Sequence, residues 1–504
     1  MTGNPEPTPD DPTVRVATRV GSTGAEQLLR TARDAATSVR VVRTGPTGID
    51  AFDPLVLATV DGETALYAAP GESTLRSVVS TLDSGDLPTD EATAVVTHDP
   101  ATSTLPVPAT GPLSVGRRAV LGPCGWRDPL DADAWSPVAD TDPDLRAASA
   151  LLGRGRGDAA LDTPVGEQWE EARSADGDPV VVVNAHDASG LPTGDDLLLA
   201  AAPLAVLDGA ATVAAHVGAD EVVVLVSEGA ADLHDHLRDA AAAASLPAEV
   251  QVVAGPDQYR AGEPTAALEA LEGADRIEPR LTPPGPATHG LYGRPTVVHT
   301  PRTLAQVRRA ARDPDAVDPE AADPGTRLVA VAGDVRSPAT VELPSSASLA
   351  RVRDAVEMTG TYKMACVGGV LGGLIVDLDL PPTAGSFRAA GLGTDGTVEL
   401  LDESRCAVAT AGERARFAAT ENSGRCVPGR EGTKQLTELL REVYDGAFES
   451  DKIRELARVM RQSSNCRLGA SAPRPAVTAL DRFDAEFRAH ADGRCPSGTC
   501  RSKL

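Results

Sequence analysis

The chain has 504 residues, more than a single hydrophobic core accommodates, so several domains are expected. A formal net charge of -26, with carboxylates spread along the whole length, argues against nucleic acid or an anionic membrane surface as a partner. No stretch reaches the roughly 18 consecutive apolar residues of a membrane span, and residues 1–14 lack the charged-plus-apolar pattern of a secretory signal, so a cytoplasmic protein without direct membrane insertion is expected.

In chain order, residues 1–12 are rich in Pro and Asp and read as a disordered leader. From 13 to 85, helix-like runs (25–36, 74–82) alternate with strand-like runs (39–43, 55–60, 64–69). A Pro/Asp/Thr-rich linker is expected over 86–115. The largest unit, 116–320, contains continuous apolar β-branched runs at 179–184 and 221–226, the mark of strands buried on both faces. An Ala/Leu-rich helical segment (197–217) lies between them and another (230–244) follows, which argues for an α/β sandwich with a mostly parallel sheet. Residues 321–405 switch to short strands and Gly/Pro turns, with strands expected at 327–333, 340–343, 373–378 and 397–401. Residues 406–490 read as an antiparallel helical bundle. Its apolar stripes are Leu436, Leu439, Leu440 and Val443, then Ile453, Leu456 and Met460, then Val477, Leu480, Phe483 and Phe487. Residues 491–504 form a tail, whose final Ser502-Lys503-Leu504 matches a peroxisomal address by coincidence. The fold class is α/β multidomain.

Residues 421–433 read E-N-S-G-R-C-V-P-G-R-E-G-T, and Cys466 sits in S-N-C-R-L-G. This resembles the iron–sulfur loop of the NADH-binding flavoprotein subunit of respiratory complex I, a family shared with NAD-linked hydrogenases and formate dehydrogenases. That family reads E-S-C-G-x-C-x-P-C-R-E-G-T with a fourth Cys further along. Ser423 and Gly429 stand where two of the four Cys belong, leaving Cys426 and Cys466 as candidate metal ligands. A [4Fe–4S] cluster normally takes four thiolates, so the resemblance implies a [4Fe–4S] site with half its ligands missing. Cys406, just upstream, is a candidate third ligand; Ser ligates iron weakly and Gly cannot. Cys495 and Cys500, in C-P-S-G-T-C, resemble the C-P-A-G-V-C that leads into an extra ferredoxin domain in longer relatives. They are expected to be a remnant, with a redox-labile disulfide as the alternative.

The resemblance extends over nearly the whole chain. Its best-kept block runs from Gln258-Tyr259-Arg260-Ala261-Gly262-Glu263-Pro264-Thr265-Ala266 to Gly290-Leu291-Tyr292-Gly293-Arg294-Pro295-Thr296. It implies a thioredoxin-like domain over 13–85, an FMN/NADH-binding-type α/β domain over 116–320, a β-grasp soluble-ligand-binding domain over 321–405 and a helical iron–sulfur-type domain over 406–490. In the first of these, Pro46 and Asp50 replace family cysteines and no Cys precedes Cys124, so no [2Fe–2S] cluster is expected. Cys124 itself reads as a core thiol. His234 and His236, two apart on a helix, face different directions and are a poor metal pair.

In the family a glycine-rich loop cradles the FMN phosphate through backbone N–H groups, where only Gly permits close approach. Gly153, Gly155 and Gly157 and two arginines survive here, while Asp158 and Asp162 add negative charge and Gln168 replaces a Lys before Trp169. A loop kept only for its turns is the equal alternative. Asn184 is kept after the strand, but His186 and Ser189 replace acids; Tyr259, Gly262 and Glu263 are kept, with Pro264 for a second Glu. His299 and Thr300 replace two Asn, and Thr303 is kept. The resemblance thus implies FMN held by Gly153, Gly155, Gly157, Asn184, Tyr259, Gly262, Glu263 and Thr303, NADH as substrate, and partners that are other subunits of a redox or quinone-reductase-type complex. Losses fall on cofactor contacts while the packing pattern persists. The expectation is a homologue of the NADH-oxidising subunit with degenerate cofactor sites and impaired or absent catalysis; the alternative is a scaffold or ligand-binding adaptor on the same fold. With only four Lys among 47 basic residues, the acidic composition resembles that of proteins from salt-loving archaea.

Overall fold

The computed structural model describes residues 11–500; most of the expected leader and the final tripeptide 502–504 lie outside the described residues. Three sheets and a helical C-terminal unit make up the chain.

The first sheet has the order β2-β1-β3-β4-β5, formed by β1 (Thr13–Ala17), β2 (Arg40–Thr44), β3 (Leu55–Val60), β4 (Glu63–Ala68) and β5 (Ala94–Thr97). β1 and β2 are parallel and joined by the helix Thr23–Ala35; every other pairing is antiparallel. The period-2 alternation of β3 divides its side chains between two cores. Val56 and Ala58 pack with Leu28 and Leu29 of the helix Thr23–Ala35 and Leu75 of the helix Glu72–Asp83, whereas Leu55 and Leu57 pack with Trp126 and Val329 of later units. β5 arises inside the span expected to be a linker. It is a four-residue edge strand with alternating half-exposed residues, and its Pro- and Asp-rich flanks hide it in the sequence.

The second sheet has the order β8-β7-β6-β9 and is parallel throughout: β6 (Val180–Asn184), β7 (Glu221–Ser227), β8 (Glu249–Gly255) and β9 (Thr296–His299). Val180 to Val183 are all fully buried, as β-branched residues covered on both faces should be, each adding about 2 kcal/mol of burial. The segment 197–217 is not one helix. Gly194–Ala201 ends where Pro203 opens the next helix, Pro203–Val217, and the two are bent by 101°. Proline has no N–H to continue the first helix but suits the first turn of the second. Among the described residues no single helix is long and apolar enough to cross a membrane.

The chain winds from β6 outward to β8, then returns to place β9 on the other side of β6. The winding reverses between β6 and β9, so a crevice opens past their carboxyl ends, at Asn184 and His299.

The third sheet, β11-β10-β14-β12-β13, is mixed: β10 (Thr326–Gly333), β11 (Ala339–Pro344), β12 (Tyr362–Val367), β13 (Gly373–Ile375) and β14 (Thr397–Asp402), with only β10 and β14 parallel. The helices Ala407–Glu421, Thr433–Glu442, Ser450–Ser463, Arg474–Arg482 and Asp484–Ala491 complete the chain. Leu436, Leu440, Ile453 and Leu480 join Met364 and Leu374 of the sheet in one core.

Candidate functional site

The crevice between β6 and β9 gathers most of the residues singled out from the sequence. Asn184, the last residue of β6, donates from Nδ2 to the carbonyls of Gly157 and Gly262, both at 3.0 Å, and so ties the 153–157 loop to the 259–262 turn. Both glycines are required by this closeness. A Cβ on Gly157 would lie 2.8 Å from Asn184 Nδ2, and one on Gly262 would lie 2.6 Å from His186 O.

Several backbone N–H groups in and beside the glycine-rich loop are bound from within the protein, those of Gly155 and Gly157 not among them. Arg154 N donates to Thr303 Oγ1 at 2.9 Å, Arg156 N to Asp395 Oδ1 at 2.7 Å, Ala159 N to Val298 O at 3.0 Å and Ala160 N to Asp158 Oδ1 at 2.9 Å. Asp395 comes from the unit that carries the third sheet, and sequence reasoning missed it. So did it miss Arg467, whose guanidinium donates to the carbonyls of Arg156 at 2.9 Å and Asp158 at 2.5 Å. The Arg156 guanidinium lies 3.7 Å over the Tyr259 ring and donates to Tyr259 O at 2.7 Å. Glu263 caps the helix Pro264–Leu271 by accepting from Thr265 N and Ala266 N.

Behind the loop runs a fully buried chain. Trp169 Nε1 donates to His299 Nε2 at 2.8 Å, which leaves the ring proton on Nδ1, 3.0 Å from Asp158 Oδ1. Burial alone would raise the Asp158 carboxyl, yet its contacts with His299, Thr303 and Ala160 hold it below the usual carboxylate range. Arg302 Nε at 2.9 Å and Nη2 at 2.5 Å both donate to Asp195 Oδ2, while the Arg302 backbone N–H donates to Oδ1 at 2.8 Å, a buried charged pair beside the loop.

A cavity of about 290 Å³ lies where the parallel sheet, the third sheet and the helical unit meet. Tyr259 and Glu263 line it, with Arg156, Arg260, Arg388, Arg467 and Arg474 facing Asp162, Glu263 and Asp395. In a chain of net charge -26, five arginines against three carboxylates make this a locally cationic recess.

Cys466 opens onto the same cavity. Cys466 Sγ caps the helix Arg467–Ser471 by accepting from Gly469 N at 3.4 Å, and Cys426 Sγ accepts from Gly429 N at 3.3 Å. Burial, reinforced by neighbouring Cys426, pushes the Cys466 thiol up to about 11. Gly429 and Ser423 supply no thiolate. The backbone is drawn in at this point: a Cβ on Gly429 would lie 3.1 Å from Cys426 Sγ, and one on Gly469 would lie 3.3 Å from Gly429 Cα. Ser423 Oγ is engaged by Arg425 N at 3.3 Å. Cys406, considered from sequence as a third ligand here, is carried elsewhere. It caps the helix Ala407–Glu421 and meets His490 instead, because that helix and the following ones fold its N-terminus toward the end of the chain. Cys124 is a buried core thiol, pushed up to about 12 by burial.

A crevice at a parallel-sheet switch point, a glycine-rich loop across it and a cysteine-bearing helical unit beside it have the architecture of the NADH-dehydrogenase flavoprotein class. Residues 149–309 match the Nuo51 FMN-binding domain, and residues 409–490 match the NADH-ubiquinone oxidoreductase-F iron-sulfur binding region. The chain belongs to the NADH-quinone oxidoreductase-F family. It is 32% identical over 380 residues to the NADH-quinone oxidoreductase-F of Streptomyces coelicolor, covering 69% of this chain and 83% of the relative. It is 31% identical over 376 residues to the NADH-quinone oxidoreductase-F 2 of Rhizobium meliloti, covering 68% and 87%. The fold is similar to that of an NAD+-reducing [NiFe]-hydrogenase in the H2-reduced state, with a TM-score of 0.62 and 24% identity over 96% of this chain and 85% of that one.

Proposed function

We propose that this protein is a member of an NADH-quinone oxidoreductase-type assembly whose flavin and cluster sites are degenerate, so that it serves as a scaffold and ligand-binding component without carrying the electron path. The observation that carries this reading is the inward bonding of the Arg154, Arg156 and Ala160 N–H groups in and beside the glycine-rich loop. A flavin phosphate needs free backbone N–H groups, and Thr303, Asp395 and Asp158 already accept from those of Arg154, Arg156 and Ala160. Two of those acceptors are carboxylates, which repel a phosphate. The cluster loop supports the same reading: two buried thiols and a drawn-in glycine backbone do not fit a group that takes four thiolates.

The cationic recess between Arg156, Arg388 and Arg474 supports retained binding of a small anionic molecule at the junction of the three units. The test is anaerobic purification of the full chain in high salt, followed by its visible spectrum, flavin and iron content, and titration with NADH. A folded, colourless, iron-free protein is expected. A flavin band that NADH bleaches would overturn the reading.

A further inference from the structure

The two cysteines of the tail do not stand apart as a remnant. Cys406 Sγ, His490 Nε2, Cys495 Sγ and Cys500 Sγ all lie within 4.8 Å of one another. His490 Nε2 is 3.4 Å from Cys406 Sγ and 3.0 Å from Cys500 Sγ. We propose that these four side chains are a mononuclear zinc site of the Cys3His type, which clips residues 491–500 onto the helical unit.

Four observations converge on that metal. The donor set, three sulfurs and one imidazole nitrogen, is one that structural zinc takes. The spacing fits one ion: tetrahedral ligands at the usual zinc–sulfur distance sit about 3.8 Å apart. An iron–sulfur cluster would interpose several irons and bridging sulfides, spreading its thiolates farther than this packing allows. The outer contacts also suit a ligand set. His490 Nδ1 donates to Glu486 O at 2.6 Å, which fixes the ring and aims Nε2 at the sulfurs. Ala409 N donates to Cys406 Sγ at 3.4 Å from the first turn of a helix, a position that favours a thiolate. Finally, Cys406, His490 and Cys500 are buried among Val443, Phe483 and Phe487, so the site is closed on its inner side as a structural one should be. A disulfide between Cys495 and Cys500 would leave Cys406 and His490 facing it without a role.

The test uses the full chain, expressed with zinc available, and independent readouts. Elemental analysis is expected to give one zinc per chain, retained in Cys426→Ser and lost in Cys495→Ser and Cys500→Ser. In the unmutated protein, a chelator should expose Cys406, Cys495 and Cys500 to alkylation. Exchange with cobalt(II) should give the intense visible bands of a tetrahedral, thiolate-bound ion. These wild-type measurements stand even if a variant fails to fold. Iron with cluster absorbance in place of zinc, a Cys495–Cys500 disulfide by mass, or three metal-free thiols that alkylate without a chelator would each overturn the proposal.

Discussion

Asp395 accepts the backbone N–H of Arg156 at 2.7 Å, a bond that joins two loops 239 residues apart in the chain. The bond places a carboxylate directly against the glycine-rich loop.

Asp395→Asn is therefore expected to strengthen flavin mononucleotide binding by about tenfold, through loss of one repulsive charge, while costing about 1 kcal/mol of stability. Quenching of flavin fluorescence measures the first effect and urea unfolding the second. Unchanged affinity would show that Asp395 does not guard the loop.

Asp158 is held below the usual carboxylate range in the folded state, so its ionised form contributes stability above the unfolded carboxyl value and loses it as pH falls through the folded one. Asp158→Asn should lower stability by about 1–3 kcal/mol at neutral pH, and the gap to wild type should close below about pH 4. Urea midpoints of the two proteins across that range check the sign. A gap that widened on acidification would contradict it.

Ser423→Cys with Gly429→Cys returns the thiolate count of the cluster loop to four. The double variant is expected to assemble a cluster on anaerobic reconstitution with iron and sulfide, with visible absorbance that the unaltered chain does not develop. The side chain added at 429 starts 3.1 Å from Cys426 Sγ, so it must displace that thiol slightly. Assembly by the unaltered chain would show that missing ligands are not what limits the site.

Surface charge gives a separate prediction. With 73 acidic against 47 basic residues, self-repulsion opposes the compact state. Raising salt from about 0.01 M to about 1 M shortens the screening length from about 30 Å to about 3 Å. The thermal unfolding midpoint should therefore climb by several degrees, measured by circular dichroism. A flat or falling midpoint would mean that the carboxylates are already compensated.

What sequence could deliver follows from the range of each interaction. Four consecutive buried valines announced β6, since strands covered on both faces read as unbroken apolar runs. The glycines, Asn184, Tyr259, Gly262, Glu263 and Thr303 were legible as flavin-holding candidates through a family motif, and the fold brings them together around one crevice. The break at Pro203 was legible as a proline but was absorbed into a long Ala/Leu run. β5 is too short and too polar at its ends to stand out. Asp395, the acceptor of the Arg156 N–H, reaches it only through tertiary approach and leaves no local signature. The same holds for Cys406, whose neighbours His490 and Cys500 are 84 and 94 positions away.

Arg467 directly follows Cys466 and yet bonds to the carbonyls of Arg156, Asp158 and Ala159 in the glycine-rich loop. One side chain thus anchors both segments, and any shift of the cysteine turn moves its neighbour across the cavity. Because the acceptors are backbone carbonyls, what couples the two loops is the path of the chain and not the side chains of the glycine-rich loop.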